Sequence, residues 1–233
     1  RVSAEIHQQM DGVLALAEQL GRQRLTPDGE ACLASVVAAA DGVRRIVEAG
    51  RDLKGMAAQG LSLELAPVVL REVMDEIQER WQPRAASAGV TLLVSFDGDP
   101  GAAAMADRKR LLQVFDGFIG EAVAAQGRGA VEAGLFAQVE PERVRLEGRV
   151  RGPRDSGWND QDMDARVRNI AERLGLEVAL GAMLARNVLA GMNGELRKEA
   201  NAGASETAWF AIDLAPIPDE VEAPSEDACR AAH

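Results

Sequence analysis

Apolar residues recur at heptad spacing in two stretches near the start of the chain. Ile6, Met10, Val13, Ala17 and Leu20 are spaced 4, 3, 4, 3, and Leu33, Val36, Ala40, Val43 and Val47 are spaced 3, 4, 3, 4. Each set is an a/d stripe along one helix. The pattern breaks over Gly21–Leu25, and Thr26-Pro27-Asp28 opens the second helix. Thr26 is a capping residue, Pro27 suits the first helical position, and Asp28 and Glu30 complement the positive end of the helix dipole. Two helices and a short loop make an antiparallel hairpin. A lone hairpin covers only part of such a stripe. A second copy completes a four-helix bundle, so a homodimer is expected.

Beyond the hairpin the period changes. Leu61-Ser62-Leu63-Glu64-Leu65 alternates and predicts a strand, after which Pro67 predicts the start of a helix carrying Leu70, Val73, Met74, Ile77 and Trp81. Val90–Phe96 reads as a strand closed by the turn cluster Asp97-Gly98-Asp99-Pro100-Gly101. A helix is predicted over about 107–125, with Leu111, Val114, Phe115, Phe118 and Ala122 on one face. Ala130–Val139 and Arg143–Val150 read as a hairpin turning at Glu140-Pro141-Glu142. Gly152–Asp164 is polar and reads as a loop, Val178–Ala190 as a helix, and Glu195–Glu199 with Thr207–Leu214 as closing strands. Strands interleaved with helices on one face of a mixed sheet make an α/β sandwich. From Pro216 the chain is Pro-rich and acidic, a linker composition.

Composition narrows the function classes. The 233 residues carry a net charge of −11, which repels a phosphate backbone and argues against nucleic acid as a partner. Aromatic residues make up 3% and there is no Tyr, so the core is built of Ala, Val, Leu and Ile. No apolar run reaches the roughly 20 residues of a membrane helix, so no membrane span is expected in this fragment. Cys32 and Cys229 lack metal-ligand spacing, which points away from a zinc site and towards a reducing, cytoplasmic setting. Arg1 runs directly into the amphipathic pattern without an initiator Met, which reads as a piece of a longer chain lacking a signal peptide.

Several strings, in this order, resemble the catalytic core of sensor histidine kinases, most closely the hybrid type, over roughly residues 1–215. The family opens with Ser-His-Glu-Ile-Arg-Thr-Pro-Leu-Asn-Gly-Val-Leu, and this chain has Ser3-Ala4-Glu5-Ile6-His7-Gln8-Gln9-Met10-Asp11-Gly12-Val13-Leu14. The family's Asp before Arg-Leu-x-Gln-Val-Leu is matched by Asp107 and Arg110-Leu111-Leu112-Gln113-Val114-Phe115. Its Met-Gly-Gly-Glu-Ile is matched by Met192-Asn193-Gly194-Glu195-Leu196. The resemblance implies a dimerisation and phosphotransfer hairpin at 1–56, an ATP-binding-like domain at 61–215, and an acidic linker at 216–233 leading towards a receiver domain. The fold class expected is therefore α+β, a dimerising helical hairpin followed by a histidine-kinase-type sandwich.

The departures from the family pattern fall on its functional positions. Ala4 stands where the family's phospho-acceptor His stands, and a methyl group is not a nucleophile. Glu5 keeps the acidic residue that supports proton transfer there. His7 is the one alternative acceptor, in a place where a surface His is the plainer reading. The family's Asn-Leu-x-x-Asn-Ala-x-Lys stands as Gly117-Phe118-Ile119-Gly120-Glu121-Ala122-Val123-Ala124, so Glu121 replaces the Asn that helps hold Mg²⁺ and Ala124 the phosphate-binding Lys. Glu121 is the single candidate metal ligand. The Asp-x-Gly-x-Gly that reads adenine is matched by Asp155-Ser156-Gly157-Trp158-Asn159. The phosphate-side Gly-Leu-Gly-Leu falls either on Ala179-Leu180-Gly181-Ala182, with Gly181 retained, or on Gly175-Leu176-Glu177-Val178. In both, a glycine that admits phosphate to the backbone is lost.

These changes predict a pseudokinase: a catalytically defective module of a two-component signalling protein, acting as a dimeric regulatory or scaffolding unit in a phosphorelay. Its expected partners are a second copy, and a response-regulator receiver domain or another histidine kinase. ATP and Mg²⁺ are implied only if the pocket is retained; the substitutions point to no cofactor. The competing reading is a divergent kinase or phosphatase that still binds ATP, with Ala4 in place of the acceptor.

Overall fold

The computed structural model describes residues 2–153, 163–201 and 205–218. In chain order the elements are α1 (Val2–Gly21), α2 (Pro27–Gln59), β1 (Ala66–Val69), α3 (Leu70–Ser87), β2 (Val90–Asp97), β3 (Ala103–Ala106) and α4 (Arg108–Gln126). They continue as β4 (Gly129–Val139), β5 (Val144–Pro153), α5 (Met163–Leu174), α6 (Leu176–Gly191), β6 (Glu195–Ala200) and β7 (Ser205–Leu214). The fold is α+β: a helical hairpin, then a mixed sheet with helices packed on one face.

The hairpin forms where the heptads place it. Thr26 Oγ1 accepts from the Gly29 amide at 3.2 Å, and Pro27 opens α2. The helices meet through small residues, with Ala17 and Ala40 buried. The rest of the stripe is only partly covered: Leu20, Val36 and Val43 are exposed, as is Leu16 beside them. Among the described residues, no helix is long and apolar enough to cross a membrane.

The main sheet has the order β2-β4-β5-β7-β6, with β2 and β4 parallel and the other pairs antiparallel. The parallel pair is joined by a crossover through β3 and α4, as parallel neighbours require. Inward residues of β5 and β7 alternate with outward ones, and Phe210 on β7 packs its ring against Phe115 and Phe118 of α4 at centroid distances of 5.2 and 6.0 Å. Gly148, across from Phe210 in the ladder, leaves room for that ring, because a Cβ there would run into it. The outward face carries Arg145, Glu147, Arg149 and Arg151 of β5, the exposed Leu93 of β2 and Phe136 of β4, and Arg197 of β6, whose guanidinium lies 3.8 Å above the Trp209 ring.

Four local expectations are corrected. Leu61–Leu65 forms no strand and pairs with none of the described strands. Leu61 packs over Gly191, and the Glu64 amide donates to the Asp107 carboxylate at 3.0 Å, so a side chain takes the place of a ladder partner. Pro67 does not start the helix. It sits in β1, a short ribbon with β3 in which Pro67 faces Met105, and α3 begins at Leu70. β3 was not predicted, since Ala102, Ala104 and Ala106 are buried alanines with little strand propensity of their own. The supposed loop over 152–164 begins as the end of β5 and finishes inside α5, which was also missed, and α6 runs 176–191 rather than 178–190. Cys32 is exposed on α2, while Cys229 lies outside the described residues.

Candidate functional site

Helix α4 carries the site. Asp107 caps it, its carboxylate accepting from the Arg110 amide at 3.1 Å. Leu111, Val114 and Phe118 lie on the buried face, and the same spacing brings Glu121 inward, where it is 5% exposed. A carboxylate on the apolar stripe of a helix requires a partner. Lys198 supplies it from β6, at an inward position whose neighbours Arg197 and Glu199 are exposed. Its Nζ lies 3.1 Å from Glu121 Oε1 and 3.0 Å from Glu206 Oε1 on β7. Burial pulls the Lys198 ammonium below its ordinary 10.5, opposed by the charges of Glu121 and Glu206.

This triad closes a cleft between α4 and the sheet. The cleft has a volume of about 30 Å³ and is lined by Phe118, Glu121, Ala122, Ala125, Val150, Gly152, Pro153, Lys198, Glu206 and Ala208. That volume is the share of a single water molecule. A shallower recess of about 380 Å³ adjoins it at Gly152 and Pro153, with Glu132 and Arg151 paired at 3.6 Å on its wall. Gly152 sits so close to α4 that a Cβ would come within 2.8 Å of the Ala122 Cβ. Among the described residues, no group of three or more His, Cys, Asp or Glu side chains could hold a metal ion.

The remaining sequence candidates are scattered. Ala124 is exposed and is not among the residues lining the cleft, so the two substitutions on α4 do not share one surface. Gly181 is in the middle of α6 rather than at a phosphate-binding helix end. It faces Gly117 of α4, where a Cβ on Gly117 would stand 2.5 Å from the Gly181 carbonyl oxygen. These two glycines form a close helix crossing. The N-terminus of α6 is capped instead by Gly175, with φ of 97°, so it is the second register, Gly175 to Val178, that opens this helix. Ala4, Glu5 and His7 all fall within α1, with Glu5 exposed. Asp155 and Gly157, with Trp158 and Asn159, lie outside the described residues.

Lys198 and Glu206 were missed by the sequence reading. The available signal was Glu121 itself: a carboxylate three residues after Phe118 on a core-facing stripe predicts a buried cation somewhere else in the chain.

A second polar cluster joins the hairpin to the sandwich. Asp52 on α2 accepts from Gln113 Nε2 at 2.7 Å and Arg110 Nη1 at 3.1 Å, with Lys109 Nζ 3.6 Å away. Burial opposes ionisation of Asp52. The Gln113 hydrogen bond and the Lys109 and Arg110 charges outweigh it, holding the carboxyl below its ordinary 3.8. A depressed carboxyl contributes its stability above the unfolded value and loses it as pH falls through the lower folded one. The urea midpoint should therefore drop as acid takes the pH below 3.8, and Asp52→Asn should flatten that part of the profile.

The order of hairpin and sheet, and the placement of α4 and α6, make this the fold of a histidine-kinase catalytic core. Full-length ShkA, solved in complex with AMPPNP, superposes with a TM-score of 0.63 at 24% identity, covering 93% of this chain and 45% of that one. The Acinetobacter baumannii histidine kinase AdeS superposes with a TM-score of 0.54 at 16% identity, covering 90% of this chain and 95% of that one. By sequence the chain's homologues are sensor histidine kinases. It is 22% identical over 230 residues to the sensor histidine kinase GacS of Pseudomonas protegens, covering 95% of this chain and 25% of that protein. It is 22% identical over 232 residues to the signal transduction histidine-protein kinase BarA of Escherichia coli K12, with 96% and 25% covered. The chain thus spans about a quarter of the length of the curated relatives it matches. No family model matches it.

Proposed function

We propose that this chain is a catalytically defective histidine-kinase-like module of a two-component signalling protein, acting as a dimeric regulatory or scaffolding unit in a phosphorelay. The observation that carries this reading is the Glu121–Lys198–Glu206 triad. Mg²⁺ and a triphosphate, which the fold implies, do not fit the residues present. The carboxylate at the expected metal-binding position is already engaged by an ammonium 3.1 Å away. Among the described residues, the triad sets two carboxylates around one ammonium, an arrangement that disfavours a polyphosphate. The cleft that the triad closes has an open volume of only about 30 Å³. The hairpin lacks the acceptor as well, since Ala4 offers no nucleophilic atom.

The exposed Leu16, Leu20, Val36 and Val43 support a second copy as the hairpin's partner. A receiver domain or another histidine kinase is the proposed signalling partner, on family grounds, in a cytoplasmic setting.

Restoring the acceptor tests the reading. Ala4→His is expected to gain no acid-labile phosphate from labelled ATP, because Glu121, Ala124 and the triad remain. Robust phosphohistidine on that variant would mean that the pocket binds nucleotide productively, and phosphate on His7 of the unmodified chain would contradict the proposal outright.

A further inference from the structure

The helices pack on one face of the main sheet and leave the other open. One row of residues on the open face crosses all five strands. Ser95 of β2 is paired with Gly134 of β4, Gly134 with Arg149 of β5, Arg149 with Trp209 of β7, and Trp209 with Arg197 of β6. The row spreads two arginine side chains flat on the sheet. Arg149 lies across Gly134, where a Cβ would stand 2.9 Å from Arg149 Nε, and Arg197 lies over the Trp209 ring. Both arginines are exposed, and among the described residues neither has a carboxylate partner. The arginines beside them do. Arg145 stands 3.2 Å from Asp213 and 3.7 Å from Glu147, and Arg151 stands 3.6 Å from Glu132.

We propose that this row is the docking surface for the chain's own acidic C-terminal segment, whose carboxylates between Asp219 and Asp227 pair with Arg149 and Arg197. Charge is the first support. Residues 219–233 carry the acids Asp219, Glu220, Glu222, Glu226 and Asp227 against the single cation Arg230. A chain of net charge −11 repels free anions, whereas a tethered anion reaches two open guanidinium groups without crossing that field. Each guanidinium is a planar fork that takes a carboxylate bidentately. Spacing is the second support. Arg149 lies over β4 and Arg197 over β7, two strands apart or roughly 10 Å. Carboxylates three residues apart on an extended segment, such as Asp219 and Glu222, span a similar distance of about 10 Å. Reach is the third. Ala215 is held beside β3 by the Met105 amide, and Trp209 lies back along β7 from it by about 20 Å. The segment from 219 to 227 extends to about 30 Å. So short a tether sets an effective concentration on the order of millimolar, at which even a millimolar dissociation constant gives about half occupancy. The docking is independent of whether the cleft takes nucleotide, because no residue of the row lines that cleft.

A spin label on the segment reads the docking in the full chain. Cys32 is exposed, so Cys32→Ser leaves Cys229, just beyond Asp227, as the single thiol to carry a nitroxide. Amide signals over 147–151, 195–199 and 207–211 should lose at least about half their intensity to the nitroxide, as half occupancy requires, while those of α1 stay unchanged. Molar salt should abolish the loss, and so should Arg149→Ser with Arg197→Ser. Neutralising the segment through Asp219→Asn, Glu220→Gln and Glu222→Gln should abolish it equally, without touching the sandwich. No selective loss in the labelled chain would overturn the proposal, as would a loss that persists in both the serine and the neutralised variants. A loss that passes to unlabelled chains mixed with labelled ones would overturn it too, since the occupant would then be the segment of another copy.

Discussion

Replacing Lys198 by Met is expected to destabilise the sandwich by about 3–5 kcal/mol at neutral pH, the usual result of removing one partner from a buried ion pair. Glu121 is 5% exposed and cannot turn to solvent without leaving the stripe it shares with Phe118. Without the ammonium, two carboxylates face each other across the cleft. The triad is nonetheless not an efficient source of stability. Burial already draws the Lys198 ammonium below its ordinary value, a sign that desolvation cancels part of the Coulombic gain. Changing all three members together, Lys198→Met with Glu121→Leu and Glu206→Leu, should therefore recover most of the loss, because apolar replacement of a whole buried network is often neutral or better. Urea midpoints of the single and triple variants check both halves. A single variant as stable as the parent would mean that the triad is open to water.

The second large effect concerns the hairpin. Val43 is 41% exposed in the isolated chain and Val36 is 43% exposed, on a helix whose a/d stripe is buried only at Ala40. If a second copy covers that seam, Val43→Asp places an unpaired carboxylate in it twice per dimer. Association should weaken by at least about a hundredfold, since each buried, uncompensated charge costs several kcal/mol. Sedimentation across a concentration series reads this as a shift from dimer to monomer. A monomeric parent at high micromolar concentration would contradict the seam, as would a variant that dimerises unchanged.

How far the fold was legible depended on where each element's stability originates. The hairpin and α4 carry their own instructions: heptads, a Thr26-Pro27 start, an Asp107 cap and a continuous apolar stripe. The Gly129–Pro153 hairpin alternates cleanly over both strands. Elements that failed to read are those stabilised from outside. β3 is a run of alanines, and its strand state comes from β1 and from Ala215, which accepts from the Met105 amide. Leu61–Leu65 alternates like a strand, but Asp107 takes up the Glu64 amide before any ladder forms. Helix α5 is mostly polar, and among its described side chains Val167, Ile170 and Leu174 carry the apolar spacing, too short a run to stand out. The same division applies to the site. Glu121 was visible as a substitution against the family pattern, but its meaning rests on Lys198 and Glu206, which lie 77 residues or more beyond it and become neighbours only through the β6–β7 pairing. Gly181 was misread for a related reason. Spacing from Met192 placed it at a phosphate loop, whereas it lies inside α6, where its carbonyl oxygen is approached closely by Gly117, the glycine whose missing Cβ the crossing requires.

Calorimetric titration of the unmodified chain with ATP and Mg²⁺ decides whether the cleft takes nucleotide. No binding tighter than about millimolar, equivalent to roughly −4 kcal/mol, is expected, because Lys198 engages the Glu121 carboxylate at 3.1 Å and leaves it no free charge for Mg²⁺. Micromolar binding would contradict it, and would mean that the triad opens for nucleotide rather than sealing the cleft against it.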